Sequence, residues 1–400
     1  MLMMGNGLQG TLLGVRGGIE GFNPNIMSWV MAGYFIGFLG GSRLAPLMIR
    51  RVGHVRVFAA LASLISACFV LFPVFAIEFV WFLLRIIIGF CFSGVYVVSE
   101  SWLNDFSDNK NRGKILSIYL IIQTLGLVLA QFVLNFADVS GYTLFIVASV
   151  ILSLSFAPIL LTVTPAPPFE TTKPMGLKNL YKASPLGVVG LFILGAIFGA
   201  IFGMTAIFGS EIGMSVPEIS IFVATIYFGG LLFQMPIGWL SDRIDRRFLI
   251  IFVSTIGGFC SILLFVISYN YVVYLVFMFF IGGMVNPLYS LFIAYTNDFL
   301  EHDDMAAAAG GLVFINGLGA IIGPLAVGFL MSNFGPDAFF VYLGGILILI
   351  SIYALYRKTQ REAPAVSETS SYTTITPSLT PVAVEVAQEI AIEAALDDDD

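Results

Sequence analysis

The chain has 400 residues, of which 58% are apolar and only 11% are charged, and its formal net charge is −7. Soluble domains typically carry charge on about a quarter of their residues. The composition therefore excludes an ordinary soluble fold and predicts that lipid surrounds most of the chain.

Apolar runs of membrane-spanning length recur along the chain. A helix of about 20 residues covers roughly 30 Å, which is the thickness of the bilayer core. The runs lack the short alternating pattern of an outer-membrane barrel, so we predict an all-α membrane protein. We place twelve spans at residues 1–15, 25–48, 57–76, 79–101, 115–136, 142–163, 185–208, 218–240, 248–268, 271–296, 306–331 and 336–357.

The first predicted span is the shortest. A helix over residues 1–15 reaches about 22 Å, less than the core thickness. Either its ends snorkel or the native start lies upstream. Because Met1 opens directly into apolar sequence, we favour a short or clipped first helix.

Positive charge predicts the orientation. With the N-terminus inside, sixteen of the 18 Lys and Arg residues fall in cytoplasmic segments, whereas Arg16 lies outside and Arg85 falls within a span. The positive-inside rule then puts both termini in the cytoplasm. We expect a multi-pass membrane protein.

The chain repeats itself at an offset of 193 residues, which separates Tyr34 from Tyr227. At the same offset Gly89 recurs as Gly282, Tyr96 as Tyr289, Asn104-Asp105-Phe106 as Asn297-Asp298-Phe299, and Gln123 as Asn316. Six spans separate the copies, so the halves share one orientation, a parallel repeat found in one large class of transporters. We predict six-helix halves at 1–163 and 185–357, joined by a Pro- and Lys-rich cytoplasmic linker at 164–184.

The C-terminal segment differs from the rest of the chain. Residues 358–400 are rich in Ser, Thr, Pro and Glu, poor in aromatics, and end in four aspartates. This composition predicts a disordered acidic tail.

The residue types that would support an enzyme are sparse. Cys68, Cys91 and Cys260 all fall within spans, and His54 and His302 lie in loops of different halves. The sequence has no Ser/His/Asp cluster, paired intramembrane carboxylates or Gly-rich phosphate loop. We expect no enzyme activity, no metal or other cofactor, and no nucleic-acid partner.

Arg85 lies inside the fourth span at a depth of roughly 10 Å, where a charge is costly and usually functional. Gly89, Phe92 and Tyr96 follow on the same helix face and would form a cavity wall with it. Gln9 of the first span should lie near the same depth. The alternative is that Arg85 hydrogen-bonds helix carbonyls and only fixes packing.

Glu100 falls within the fourth predicted span, near its cytoplasmic end. It could carry the proton of a coupled mechanism, together with Arg85, because protonation removes a buried charge. The alternative, which this position near the span end favours, is an interfacial residue paired with Arg112 or Lys114.

Four further polar residues fall within spans 5, 10 and 11. They are Gln123, Asn286, Tyr289 and Asn316. They could hydrogen-bond a solute in the cavity, and hydrogen bonds between helices explain them equally well.

Between spans 8 and 9, residues 238–247 read GWLSDRIDRR. This stretch resembles the loop signature G-x-L-x-D-R-x-G-R-R of the major facilitator superfamily, with Asp245 in place of the second glycine. The matching gating-loop residues are Gly238, Asp242, Arg243, Arg246 and Arg247. The N-terminal counterpart keeps Arg51 and Gly53 but has Ala45 in place of the acid.

Two more stretches support this resemblance, which covers roughly residues 1–357. VSESWLN, ending at Asn104, is similar to a bacterial branch of the superfamily, and Arg85 with Gly89 is similar to the R-x-x-x-G motif of its proton antiporters. The fifth span lacks the Gly-Pro of those antiporters, whereas span 11 has Gly323-Pro324.

The resemblance implies a secondary transporter that works by alternating access, with Asp242 in a latch that closes the cytoplasmic side. Alternatively, the loop is only a basic topogenic signal. We expect proton-coupled export of small organic or drug-like compounds. The alternatives are an importer of a sugar or organic anion, and a receptor that binds without translocating. The expected partners are a small solute, protons and the lipid bilayer.

Overall fold

The computed structural model describes residues 1–105, 107, 109–161, 175–267, 270–362, 364 and 369–397. The described residues form helices without any strand. Residues 164–174 of the predicted linker, Phe106 of the repeated triplet and the last three aspartates lie outside the described residues.

The first half holds six long helices. They are α1 (Leu2–Ile19), α2 (Pro24–Val52), α3 (His54–Val74), α4 (Glu78–Asp105), α5 (Asn109–Val133) and α6 (Thr143–Leu160). The short helix α7 (Leu177–Ala183) then leads into the second half. Its helices are α8 (Pro185–Glu211), α9 (Val216–Ser241), α10 (Arg246–Ile267), α11 (Tyr271–Asn297), α12 (His302–Phe334) and α13 (Ala338–Lys358).

The predicted all-α membrane fold is confirmed. In the described part of the chain, ten helices are long and apolar enough to cross a membrane. With α1 and α6 they give the twelve predicted spans in two halves of six. One more helix, α14 (Pro381–Asp397), follows them.

Local sequence signals begin and end several of these helices. The side chain of Asn23 caps α2, and Ser215 with Glu218 forms a capping box at the start of α9. Helices α2 and α12 end at Gly53 and Gly335, whose φ angles are +86° and +90°. Such angles favour glycine, because a Cβ would clash there.

Helix α1 ends at Ile19, four residues later than we predicted. Arg16 does not terminate the helix, because its guanidinium finds hydrogen-bond and ion-pair partners at that position. Its Nε atom forms an ion pair with Glu20 at 2.6 Å, and Nη1 donates to the carbonyl of Val139 at 3.0 Å. The helix therefore reaches about 27 Å.

The repeat is visible in how helices approach each other. A Cβ atom at Gly89 on α4 would lie 1.9 Å from the carbonyl oxygen of Tyr34 on α2. At the repeat-related Gly282 on α11, a Cβ would lie 2.2 Å from the carbonyl oxygen of Ile226 on α9. Only glycine allows such close backbone contact, so the two halves pack their second and fourth helices in the same way.

The two ends of the bundle differ. We call the end where α2, α4, α9 and α11 finish the basic end, because Arg50, Arg51 and Arg243 lie there. At the opposite end the halves are in direct contact. Asn135 donates to Ser220 at 3.1 Å, and a Cβ at Gly328 on α12 would lie 2.2 Å from Ser28 Cβ on α2.

The C-terminal segment is not disordered where the structure describes it. Residues 369–397 fold back onto the basic end and include α14. Ile375, Leu379, Val384 and Ala387 are each at most 2% exposed. The prediction of disorder was wrong for these residues because it used the average composition of the whole segment. In that average, the flanking acidic and hydroxyl residues outweigh the short apolar stretch.

Candidate functional site

A cavity of about 570 Å³ lies between the two halves. Helices α1, α2, α4 and α5 of one half and α8, α9, α11 and α12 of the other contribute to it. Its aromatic lining consists of Tyr34, Phe35, Phe38, Phe198, Phe202 and Tyr227. A concave, mostly apolar pocket with a few polar groups is the usual form of a small-molecule site.

Arg85 reaches this cavity from α4, and its side chain is 3% exposed. Its Nη1 atom donates to Gln9 Oε1 at 2.9 Å, and Nη2 donates to Met31 Sδ at 3.2 Å. The guanidinium carbon lies 4.9 Å from the centre of the Tyr34 ring. Arg85 Nε has no partner among the described residues. The cation is therefore held by neutral groups, with hydrogen-bonding capacity left over.

A chain of side chains continues from Arg85 along α1. Gln9 donates to Asn6 at 2.8 Å, and Asn6 donates to the hydroxyl of Tyr96 at 2.8 Å. Tyr96 itself donates to Met3 Sδ at 3.0 Å. The structure thus joins Gln9, Arg85 and Tyr96, which the sequence analysis proposed together, through Asn6, which it did not identify.

Three of the residues proposed as cavity wall lie behind the lining. Gly89 faces the backbone of α2, as described above. Phe92 packs between Tyr34 and Tyr96, with ring centres 6.5 and 5.8 Å away. Within the described part of the chain, Gly89, Phe92 and Tyr96 are not among the cavity-lining residues. They support the positions of Tyr34 and Asn6, which do line it.

The other proposed polar residues divide in a similar way. Gln123, Asn286 and Asn316 line the cavity. Asn316 also donates to the Leu191 carbonyl on α8 at 3.0 Å, which fits the alternative of bonding between helices. Tyr289 is fully buried beside Phe198, outside the described lining, and its hydroxyl has no partner among the described residues.

The repeat contained a signal that the sequence analysis did not use. Tyr34 and Tyr227 occupy equivalent positions, and both line the cavity. Tyr34 faces Arg85, whereas Tyr227 stacks on Phe202 with ring centres 5.6 Å apart. Two of the repeat-related pairs, Tyr34 with Tyr227 and Gln123 with Asn316, therefore line the cavity, whereas the pair of Tyr96 and Tyr289 lies behind it.

Glu100 is 3% exposed near the basic end of α4. Its carboxylate accepts hydrogen bonds from the backbone nitrogen of Thr380 at 3.2 Å and from the Thr380 hydroxyl. Tyr119 donates to it at 3.4 Å. Arg112, one of the partners we considered, forms an ion pair with Glu389 at 2.6 Å. The hydrogen-bond partners of Glu100 thus include the C-terminal segment, which the sequence analysis had excluded from the fold.

The contacts of residues 238–247 centre on Arg246. Its guanidinium forms an ion pair with Asp298, and both side chains are at most 4% exposed. Asp242 lies farther from Arg246, at 3.5 Å, and is 41% exposed. Asp242 Oδ1 also accepts from the backbone nitrogen of Tyr372 at 2.8 Å. Asp298 belongs to the repeated Asn-Asp-Phe triplet, which was the available signal for it.

Asp245 replaces the second glycine of the signature and binds Arg247, with 2.8 Å between Oδ2 and Nη2. Burial raises the pKa of Asp245, but the hydrogen bonds from Arg247 outweigh it and hold the pKa below its ordinary value. Arg243 packs over the ring of Trp239 at 4.1 Å.

Gly238 and the N-terminal counterpart of the loop make different contacts. A Cβ at Gly238 would lie 2.6 Å from the ring of Tyr372, so glycine admits that ring. Arg51 is exposed to solvent, and Gly53 provides the left-handed turn after α2.

Comparisons with known proteins give one family. The chain is 27% identical over 348 residues to the uncharacterized MFS-type transporter YfkF of Bacillus subtilis, covering 85% of this chain and 88% of that protein. It is 25% identical over 352 residues to YcaD, an uncharacterized MFS-type transporter of Salmonella heidelberg, covering 85% and 90%.

Solved transporters share the fold. The nucleoside transporter NupG aligns with a TM-score of 0.70 and 16% identity, over 89% of this chain and 96% of that one. The D-xylose-proton symporter gives a TM-score of 0.68 and 16% identity, over 92% and 96%. The sequence profile described as Major Facilitator Superfamily matches residues 1–215 and again residues 186–392. The chain therefore belongs to the major facilitator superfamily, as a multi-pass secondary transporter and not an enzyme.

Proposed function

We propose that this transporter exports a small organic compound in exchange for protons, with the Arg85 cavity as the solute site. The basic end then faces the cytoplasm of a bacterial cell, across the inner membrane, as the distribution of Lys and Arg indicates. The observation that carries the proposal is a buried guanidinium within an aromatic cavity between the halves. Such a cation costs about 2.5–3.5 kcal/mol at the membrane centre, so its retention argues for a function.

The proton site of this proposal is Glu100. The carboxylate is buried, accepts from Tyr119, and lies on the helix that also carries Arg85. A buried carboxylate that gains a proton loses its charge, which lowers the cost of moving it through a closed state. Solute and proton can therefore be coupled through α4.

Import of an organic anion is the second candidate, and one observation favours it. The described lining of the cavity contains Arg85 and no carboxylate. An anionic solute would supply the missing charge and would accept hydrogen bonds from the guanidinium. Import of a sugar would instead use the amides of Gln123, Asn286 and Asn316. A receptor would use the same cavity without moving its solute.

We further propose that Asp242, Arg246 and Asp298 form the latch of the basic end. Helices α9 and α11 finish there, and Arg246 links the two ends through both carboxylates. All three residues belong to the second half, so the latch would hold the basic ends of α9 and α11 together while the halves rock, through charge-assisted hydrogen bonds that are few enough to break.

A ligand screen with matched variants tests the solute site. Wild type and the Arg85→Ala protein would be compared by thermal shift against neutral, cationic and anionic aromatic compounds. Stabilisation of the wild type alone supports the site, and its charge preference separates the two candidates. Compounds that stabilise both proteins equally would contradict a role for Arg85.

Transport is then measured in proteoliposomes with an imposed pH gradient of either sign. A proton-coupled exporter accumulates the solute in the compartment that is acidic, because protons and solute move in opposite directions. A symporter accumulates it in the alkaline compartment. Binding without accumulation under either gradient would support the receptor and reject transport.

A further inference from the structure

We propose that residues 369–390 are a built-in plug, which closes the cavity at the basic end and holds the two halves apart until it leaves. The inference goes beyond solute transport and rests on it only in assuming that the halves close at this end. It is carried by four sets of contacts around the C-terminal segment.

The first set joins the plug to the N-terminal half. Thr380 hydrogen-bonds the carboxylate of Glu100 through its backbone nitrogen and its hydroxyl. Glu389 forms an ion pair with Arg112 at 2.6 Å. A Cβ placed at Gly113 would lie 3.5 Å from the side chain of Ile390. These contacts lie at the facing ends of α4 and α5.

The second set joins the plug to the C-terminal half. Ser290 on α11 donates to the Ile375 carbonyl at 2.9 Å and accepts from the Ile375 nitrogen at 2.9 Å. Gln388 donates to Asn297 at 3.0 Å, in a pair that is buried on both sides. Helix α14 also packs on α12. The plug is thus inserted between α4 and α5 on one side and α11 and α12 on the other.

The third set reaches the cavity itself. Thr374, Thr376, Pro377 and Ser378 belong to its lining, and Ser378 donates to Gln123 at 3.4 Å. Gln123 is one of the polar residues that could meet a solute. The turn at 377–378 therefore forms the wall of the cavity on the basic side, and a solute from that side meets the plug before it meets Arg85.

The fourth set involves the latch. Asp242 accepts from the backbone of Tyr372, and Asp298 accepts from the backbone nitrogen of Ser370 at 3.1 Å. The guanidinium of Arg246 donates to the Ser370 carbonyl. The groups of the proposed latch are thus bound to the plug when it is docked.

Two consequences follow from this arrangement. A docked plug keeps solute out of the cavity, and it prevents α4 and α5 from approaching α11 and α12. Docking and closure of the basic end therefore exclude each other, so the plug holds one state of the cycle. The plug is held in place by the burial of four of its own apolar side chains, those of Ile375, Leu379, Val384 and Ala387. Because no covalent bond is involved, its release is reversible.

Disulfide trapping tests docking. Cys68, Cys91 and Cys260 would be replaced by serine, and Gly113→Cys combined with Ile390→Cys in the full-length chain. The pair is expected to form a disulfide readily under mild oxidation. The matched control combines Gly176→Cys with Ile390→Cys, because a Cβ at Gly176 has no atom within 4 Å. Equal cross-linking of the two pairs, or none, would overturn the docked position.

The accessibility of a thiol in the cavity tests whether the docked plug blocks entry from the basic end. Ser42→Cys places one cysteine in the cavity lining of the same serine-replaced protein in lipid nanodiscs, where both ends are accessible. A cationic methanethiosulfonate is the probe. Leu379→Asp buries a carboxylate in the docked plug, so it should release the plug and speed labelling by about tenfold or more. Ile375→Asp should release the plug and speed labelling in the same way. Thr373→Asp, at a partly exposed site, should leave the labelling rate unchanged.

The outcome is independent of the solute and of membrane orientation. Faster labelling in both aspartate variants, with the control unchanged, supports the plug even if no transported compound is known. Unchanged labelling in both variants overturns the plug and leaves the proposed transport function intact. Loss of solute binding in the Arg85→Ala protein bears only on the transport function.

Discussion

The guanidinium of Arg85 and the side-chain amide of Gln9 are hydrogen-bonded at 2.9 Å, and they belong to helices whose sequence positions lie far apart. The bond joins α4 to α1 within the cavity between the halves. It also orients the cation, because Gln9 is in turn fixed by Asn6. This pair is the core of the proposed solute site, and the first prediction concerns it.

Replacing Arg85 by lysine should weaken solute binding by about 10- to 100-fold, which corresponds to a lost charge-assisted hydrogen bond. An ammonium group cannot bond Gln9 and Met31 through two nitrogens while facing the Tyr34 ring. Isothermal titration with a compound found by thermal shift checks this. Arg56→Lys, at an exposed position of the basic end, is the control. Equal affinity of all three proteins would contradict the prediction.

Glu100→Gln should abolish proton-driven accumulation and leave solute exchange in place. Glutamine keeps the size and the acceptor oxygen of the side chain but cannot take up or release a proton. The measurement compares accumulation under a pH gradient with counterflow in its absence, both in proteoliposomes. Accumulation at the wild-type level would remove Glu100 from the coupling mechanism.

The two carboxylates around Arg246 should differ in their effect on stability. Asp298→Ala leaves a buried guanidinium without its buried partner and should lower the free energy of unfolding by about 3–5 kcal/mol. Asp242→Ala removes a partner that is 41% exposed and should cost at most about 1 kcal/mol. Unfolding in detergent, followed by circular dichroism, measures both. A reversed order would contradict the assigned geometry.

Gly37→Ala and Gly89→Ala should each destabilise the first half by about 1–3 kcal/mol or more. A Cβ at either position would lie 1.9 Å from a backbone carbonyl oxygen of the facing helix, so α2 and α4 would have to separate. Gly345→Ala on α13 is the control, since a Cβ there meets no atom within 4 Å. Melting temperatures of the three purified variants provide the comparison.

Asp245 should contribute stability at neutral pH that is lost in acid. Its pKa in the folded protein lies below the ordinary value of 3.8, despite burial, because Arg247 binds the ionised form. A carboxylate whose pKa is lower in the folded than in the unfolded protein stabilises the fold at pH values above its unfolded-state pKa. This stabilisation is lost as the pH falls through its folded-state pKa. Below about pH 4, the melting temperature should therefore fall more steeply for wild type than for Asp245→Asn. Parallel curves would show that the Arg247 contact contributes nothing.

The sequence by itself determined the membrane class, the twelve spans and the parallel repeat, because these depend on local composition and period. Lipid requires an apolar run of fixed length for each span, and that requirement is readable without any tertiary contact. The repeat also marked Tyr34, Tyr227, Gln123 and Asn316, all of which line the cavity.

Only the tertiary structure decided which polar residues meet. Helical periodicity put Tyr96 and Phe92 on the face of Arg85, yet the cavity is lined by Tyr34 and Asn6 in front of them, because the position of a neighbouring helix decides which part of a face is covered. Asp298 is buried against Arg246 whereas the motif residue Asp242 is 41% exposed, because burial is a property of the packed bundle. The C-terminal segment shows most clearly what the sequence alone does not reveal. Its composition predicts disorder, but a short apolar stretch becomes ordered once two half-bundles offer it a cleft and buried partners such as Glu100.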